Sequence, residues 1–230
     1  MRLVSNTFFV AAVVVAAGCT KVQTTSLGAA PPTSGNPVRP VVHHPTDPAP
    51  PNFGAGCTPP PSASIMDPTD RIPQQSDMLC WAASAQAVAR AFSVPYSQCE
   101  QVQDYRGYSC PFCLTCDDSA DLEPGGCNHG GLPNFDKIGL NHKTRDEAIS
   151  LEQIQIEIGC RKQPVVFTWQ TGIGASHMMV VYGYDGDKLY IMQPLKPCQG
   201  DTFAIDYDTY RDTDVDGGKH LVDYYDFSVK

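Results

Sequence analysis

The sequence predicts an α+β fold, because helical patterns come first in its globular part and strand patterns come second. Residues 80–92 are rich in Ala and contain no Gly or Pro, a composition that favours a helix. After Pro164 the apolar residues form short runs separated by turn residues, which is typical of strands. We therefore expect an N-terminal helical part that packs on an antiparallel β-sheet.

Three helices are predicted, over residues 80–92, 96–105 and 151–158. Ser76 or Asp77 can cap the first helix, because each side chain carries an oxygen that accepts hydrogen bonds from backbone N–H groups. Ser150 and Gln153 form a capping box for the third helix, and Gly159 ends it.

Five strands are predicted, over residues 165–169, 177–184, 188–192, 202–207 and 222–228. The second and third are joined across Asp185 and Gly186, a dipeptide that favours a tight hairpin. Residues 106–133 are rich in Cys and Gly and are predicted to form a loop.

The N-terminus has the form of an export signal. Arg2 supplies a positive charge, residues 8–17 supply a short apolar segment, and small residues precede Cys19. This pattern resembles a bacterial lipoprotein signal over residues 1–19, in which Cys19 becomes the lipidated N-terminus; an ordinary secretory signal is the alternative. Because Thr20 is not acidic, the resemblance implies an outer-membrane anchor. We expect a chain that is lipid-anchored in the bacterial cell envelope, or else secreted.

Residues 20–61 are predicted to be a disordered tether. Ten of the twenty prolines lie between Thr20 and Pro60, with few large apolar residues, so this stretch cannot bury a core. Residues 62–230 remain as one ordinary domain. The formal net charge of −9 argues against binding of nucleic acid, which needs a basic surface.

The ten cysteines suit an oxidising compartment. If Cys19 is lipidated and Cys80 is kept for chemistry, an even number remains and can form four disulfides, whose pairing the sequence leaves open. A zinc site is the alternative for four of these cysteines, because their spacing suits thiolate ligands. The four are Cys110, Cys113, Cys116 and Cys127.

Three residues have the pattern of a cysteine-nucleophile site. Cys80 lies in the first turn of a predicted helix, where the helix N-terminus lowers the pKa of a thiol. His177 begins a predicted strand and can supply an imidazole as general base. The side chain of Gln74 can donate a hydrogen bond to an oxyanion, together with backbone N–H groups of that first turn.

These residues resemble the papain-like cysteine peptidase superfamily, through Gln74, the pair Cys80-Trp81 that opens an Ala-rich helix, and Ser176-His177 before an apolar strand. The chain is more similar to bacterial double-glycine (bacteriocin-processing) peptidase-like domains and to plant-pathogen effector peptidases. The resemblance covers about residues 70–210. It implies hydrolysis of peptide bonds through a thioester on Cys80, with a peptide or protein as substrate and no metal or organic cofactor.

The resemblance also assigns Gln193 as the residue that orients His177, in a position where related domains usually carry Asp or Asn. Its carbonyl can accept a hydrogen bond from Nδ1 of His177, but it is longer than Asn and carries no charge. Asp77 stands where the plant-pathogen enzymes carry another Cys, which favours the bacterial branch. Asp187 and Asp201 are the alternatives for the orienting role.

Two other functions fit the same residues. The dyad can serve an amidase or acyl transferase acting on cell-wall peptide, or the chain can be a non-catalytic, disulfide-rich binding lipoprotein. The other candidate bases are His129, His142 and His220. Trp81 is predicted to line the cleft, and Trp169 to lie in the core.

Overall fold

A computed structural model describes residues 56–107, 128–170, 174–212 and 218–230. Its α-helices are α1 (Cys80–Ala91), α2 (Gln98–Arg106), α3 (Leu151–Gln155) and α4 (Tyr207–Asp212). Its strands are β1 (Ser62–Ser64), β2 (Leu140–Arg145), β3 (Val165–Gln170), β4 (Ser176–Asp185), β5 (Lys188–Gln193), β6 (Asp201–Asp206) and β7 (Lys219–Val229). Short 3-10 helices cover Pro68–Asp70 and Phe135–Ile138, and a π-helical turn covers Ile156–Arg161.

The strands form one antiparallel sheet in the order β2-β7-β3-β4-β5-β6, and β1 pairs with the end of β4. The predicted α+β fold is confirmed. A two-residue loop, Gly186 and Asp187, joins β4 to β5, and Gly186 adopts a positive φ of 60° that glycine tolerates without strain.

The sheet carries a packed layer on each face. Strand β4 is buried along almost its whole length, so its side chains are covered on both sides. Met178, Val180 and Tyr182 join a cluster that includes α1 and α2. Met179 and Val181 join a second cluster with α3 and α4. Since alternate side chains of a strand point to opposite faces, the continuous apolar run of β4 requires a layer on each side.

The folded domain begins before residue 62. Cys57 forms a disulfide with Cys160, and the backbone oxygen of Pro60 accepts a hydrogen bond of 2.7 Å from the hydroxyl of Tyr184. Gly183 makes room for β1, because a Cβ atom there would lie 2.9 Å from the backbone oxygen of Ala63. These contacts were not predicted, because the Pro-rich composition before residue 62 gives no local signal for long-range pairing.

The predicted helices and strands are present, with several additions and one change. The third predicted helix is α-helical only over α3 and continues as the π-helical turn past Gly159, its predicted end. The prediction missed β1, β2, α4 and both 3-10 helices, which are short and carry mixed polar patterns. It placed the cap of α1 at Ser76 or Asp77, but Leu79 occupies the N-cap. The backbone N–H groups ahead of the first helical bond, Ala83 N to Leu79 O, are therefore left to other partners.

None of the helices in the described part of the chain combines the length and the apolar character of a membrane-spanning segment. The predicted signal, Cys19 and most of the tether lie outside the described residues.

A buried carboxyl lies in the π-helical turn. Glu157 is fully buried, accepts a hydrogen bond of 2.7 Å from Nε2 of Gln153, and lies 3.4 Å from Nη1 of Arg161. Burial raises the pKa of Glu157 to about 7, although the charge of Arg161 opposes the shift. Between about pH 4.5 and pH 7, Glu157 is therefore protonated in the folded chain and ionised in the unfolded chain.

Replacing Glu157 with Gln should change how stability depends on pH. The raised pKa stabilises the fold below about pH 4.5, and this contribution is lost as pH rises through about 7. Urea unfolding from pH 5 to 8 should show Glu157→Gln gaining on the wild type, by on the order of 3 kcal/mol. If the free energies of unfolding of the two proteins changed in parallel over this pH range, a raised pKa of Glu157 would be contradicted.

Candidate active site

Cys80 is the first residue of α1 and is only 3% exposed. It belongs to the same apolar cluster as Met178, which follows His177 in β4, and α1 packs against β4. Cys80 and Cys198 are each disulfide-bonded. The prediction that Cys80 is the one cysteine kept out of the disulfides is therefore wrong for the oxidised form described here.

His177 and Gln193 come together across β4 and β5. Nε2 of His177 contacts Oε1 of Gln193, and both side chains are buried. The expected contact through Nδ1 is wrong, because Nε2 is the nitrogen that faces the amide. Since an amide oxygen only accepts, Nε2 carries the hydrogen and Nδ1 is left as the basic nitrogen.

The environment of His177 favours its neutral form. Burial lowers the pKa of His177 to about 4, and the hydrogen bond with Gln193 opposes that shift only in part. Among the residues that the structure describes, Nδ1 has no hydrogen-bond partner. A buried, neutral imidazole with an open nitrogen can accept a proton at neutral pH.

Gln74 lies beside the end of β5. Its backbone N–H donates to the oxygen of Pro194 at 2.9 Å, and its backbone oxygen accepts from Cys198 N at 2.9 Å. The residue after Gln193 thus holds Gln74 directly. The side chain of Gln74 is 0% exposed, and neither of its amide atoms has a hydrogen-bond partner within the described ranges. A buried amide without partners costs about 1–3 kcal/mol, which calls for a functional reason.

Residues 65–206 match the family model of the papain-like cysteine protease AvrRpt2. The match spans more than half of the 230 residues and includes all four predicted catalytic residues. The chain belongs to this family. No curated protein matches the chain. The match supports the predicted papain-like superfamily, and the closer likeness to bacteriocin-processing domains stays a prediction.

In this member of the family, residues 128–131 lie against the start of α1, a role that we did not predict. Oδ1 of Asn128 accepts a hydrogen bond of 2.6 Å from the backbone N–H of Met78. Nε1 of Trp81 donates to the backbone oxygen of His129 at 2.9 Å, and a Cβ on Gly131 would lie 2.7 Å from the indole. Trp81 is thus a buried anchor of this segment, at 3% exposure, and its place in the wall of a cleft stays a prediction.

Two of the three other candidate bases, His220 and His142, pack against aromatic side chains of the fold, and the third, His129, lies in the segment against α1. Nε2 of His220 donates to Asp223 at 2.8 Å and Nδ1 donates to the backbone oxygen of Tyr210 at 2.9 Å, so the ring is an imidazolium. Burial lowers the pKa of His220, but Asp223 more than offsets this and raises it. His142 packs edge-on against Phe135.

In the described part of the chain, no group of three or more metal-ligating side chains occurs. The four cysteines of the zinc alternative lie outside that part. Trp169 is half-buried at the edge of the second apolar cluster, close to its predicted core position.

Substitutions at Gln193 should test its predicted role. Gln193→Ala removes the acceptor that orients His177 and should lower kcat about ten-fold, with little loss of folding. Gln193→Asp supplies a charged acceptor, so it should retain or raise kcat, and a histidine NMR titration should show a higher pKa for His177.

Of the two carboxylates named as alternatives, Asp187 lies in the loop between β4 and β5, and Asp201 provides the comparison. Asp201 lies opposite Gln193 in the β5–β6 register, so Asp201→Asn tests whether a nearby charge takes the role. Equal rates for wild type, Gln193→Ala and Gln193→Asp would remove Gln193 from the site.

Proposed function

We propose that the chain is an exported cysteine peptidase that cleaves peptide bonds through a thioester on Cys80. The observation that carries this proposal is the pair of buried polar groups left without partners in the described residues, the amide of Gln74 and Nδ1 of His177. Each belongs to a residue that we expect in the catalytic machinery, and the match to the papain-like family supports that expectation. A substrate supplies the partners that these groups lack.

The first half of the cycle forms the thioester. The sulfur of Cys80 attacks the carbonyl carbon of the scissile peptide bond, and the thiol proton goes to Nδ1 of His177. The carbonyl oxygen becomes an oxyanion, to which Nε2 of Gln74 and the backbone N–H of Cys80 donate. When the intermediate collapses, the C–N bond breaks and the departing amine takes the proton from His177.

The second half releases the acid product. Nδ1 of His177 accepts a proton from water, whose oxygen attacks the thioester carbon. The C–S bond then breaks, and the sulfur leaves with the proton returned by His177. Gln193 keeps the ring in the orientation that presents Nδ1 in both halves. The cycle consumes one water and uses no redox step.

The cycle requires a reduced Cys80, because only a thiol or thiolate is nucleophilic. The disulfide at Cys80 therefore corresponds to a latent form. A dithiol such as dithiothreitol can supply the two electrons and two protons that convert this disulfide to two thiols, and is itself oxidised to a cyclic disulfide.

Activity should therefore depend on reduction. The domain from residue 56 onward, purified without reductant, should cleave a peptide library at least ten-fold more slowly than after treatment with dithiothreitol. Cys80→Ser should be inactive in both states. Cys160 of the Cys57–Cys160 disulfide lies in the π-helical turn, whose Ile158 belongs to the second apolar cluster, so Cys57→Ser/Cys160→Ser serves as the control for nonspecific effects of reduction.

Two results would contradict this proposal. One is peptide cleavage by Cys80→Ser at the wild-type rate. The other is a reduced, folded wild-type chain that cleaves no member of the library.

A non-catalytic binding module is the second candidate, and the disulfide at Cys80 favours it. On that alternative the disulfide is structural, so its reduction lowers the midpoint of thermal unfolding and produces no peptidase activity. On the peptidase proposal, reduction produces activity while the fold persists.

Cys19 carries the proposed envelope anchor. Cys19→Ala should leave the protein soluble in the periplasm or medium, or uncleaved at its signal, because no thiol remains for the lipid. Fractionation of cells followed by detection of the chain measures this. A normally sized mature chain that still pellets with membranes would argue against lipidation at this cysteine.

A further inference from the structure

We propose that Gln98 is a positioning residue that fixes the oxyanion donor Gln74. The proposal rests on the proposed function, in which Nε2 of Gln74 donates to the oxyanion. Gln98 does not touch the reacting atoms. It acts through the two backbone groups on either side of Gln74.

The contacts of Gln98 bracket Gln74 in the chain. Oε1 of Gln98 accepts a hydrogen bond of 2.9 Å from the backbone N–H of Gln75. Nε2 of Gln98 donates to the backbone oxygen of Pro73 at 2.9 Å and to Oε1 of Gln86 at 3.1 Å. The partners fix the orientation of this amide, because Gln75 N–H can only donate and Pro73 O can only accept.

Gln98 is held on a rigid base. It is the first residue of α2 and is 1% exposed. Ser97 and Glu100 form a reciprocal capping box around it, in which Ser97 N donates to Glu100 at 2.7 Å. Because Gln86 lies on α1, the amide of Gln98 ties α1, α2 and the segment around Gln74 together.

The opposite edge of this segment is bound as well. Pro194 and Cys198 hold the backbone N–H and oxygen of Gln74, while Gln98 holds the groups of its two neighbours. Four consecutive hydrogen-bonding groups of the backbone are thus fixed. Since the side chain of Gln74 has no partner of its own in the described residues, only this backbone frame and its packing aim it. An oxyanion donor must be placed to within about 0.5 Å to be effective.

The direct test is Gln98→Leu, which has a similar volume and removes all three hydrogen bonds. In the reduced protein, kcat should fall about ten-fold or more while KM changes less than two-fold, because an oxyanion donor acts in the transition state. Affinity for a peptide aldehyde, which forms a tetrahedral adduct, should fall with kcat.

A double-mutant cycle with Gln74→Ala tests whether Gln98 acts through Gln74. If it does, Gln74→Ala/Gln98→Leu should be no slower than Gln74→Ala alone. Independent losses that multiply in the double variant would overturn the inference.

Gln153→Leu is the matched control, since Gln153 is also a buried glutamine on a helix but belongs to the other face of the sheet. It should lose comparable stability and keep the wild-type kcat. An equal fall in kcat would make the effect of Gln98→Leu a general loss of packing and overturn the positioning role.

Gln86→Leu provides a milder variant, because it removes one acceptor from a half-buried position and leaves the two backbone contacts of Gln98 in place. Its kcat should fall two- to five-fold; an unchanged kcat in both Gln86→Leu and Gln98→Leu would overturn the inference.

Hydrogen exchange separates this inference from the peptidase proposal, because the amide of Gln75 should exchange at least ten-fold faster in Gln98→Leu whether or not the wild type cleaves peptides. A Gln75 amide that stays protected would contradict the inference alone.

Discussion

The site depends on the hydrogen bonding of residues 73–75 along both edges. On one edge, Pro194 and Cys198 extend from the sheet; on the other, Gln98 extends from α2. This short segment joins the layer that carries Cys80 to the layer that carries His177. Because an interior transmits displacement through close packing, we expect the relative position of the proposed nucleophile, Cys80, and the proposed base, His177, to depend on how these few backbone groups are bound.

Charge is used sparingly at this site. Burial favours the neutral form of His177, and its partner Gln193 is an amide, so within the described ranges no carboxylate stabilises an imidazolium here. The chain does bury such an ion pair elsewhere, between His220 and Asp223 of β7, and each of the two also forms a hydrogen bond with Tyr210 of α4. The charged pair, His220 and Asp223, thus stabilises the fold, whereas the neutral pair, His177 and Gln193, lies at the proposed site. On the proposed mechanism, Gln193 then contributes by orienting Nδ1 of His177 rather than by supplying a charge.

The sequence predicted those parts of the structure that depend on local pattern. The helix at Cys80, the hairpin at Gly186 and the apolar run of β4 each follow from composition and periodicity within about a dozen residues. The contact of Gln193 with His177 was foreseen through a family resemblance, but not which ring nitrogen it uses. The roles of Gln98 and Asn128 were missed, because each depends on side-chain contacts across 23 to 50 residues that no local pattern records. The disulfide at Cys80 was missed for a related reason, because an even number of cysteines does not show which of them lie close together in the fold.

Covalent labelling tests the nucleophilic role of Cys80 most directly. The reduced chain would be treated with a peptidyl chloromethyl ketone and measured by intact mass and peptide mapping. The account predicts one adduct per chain, on Cys80, formed much more slowly in His177→Ala and absent before reduction. Labelling spread over several cysteines, or a Cys80 that stays unmodified in the reduced and folded chain, would contradict it.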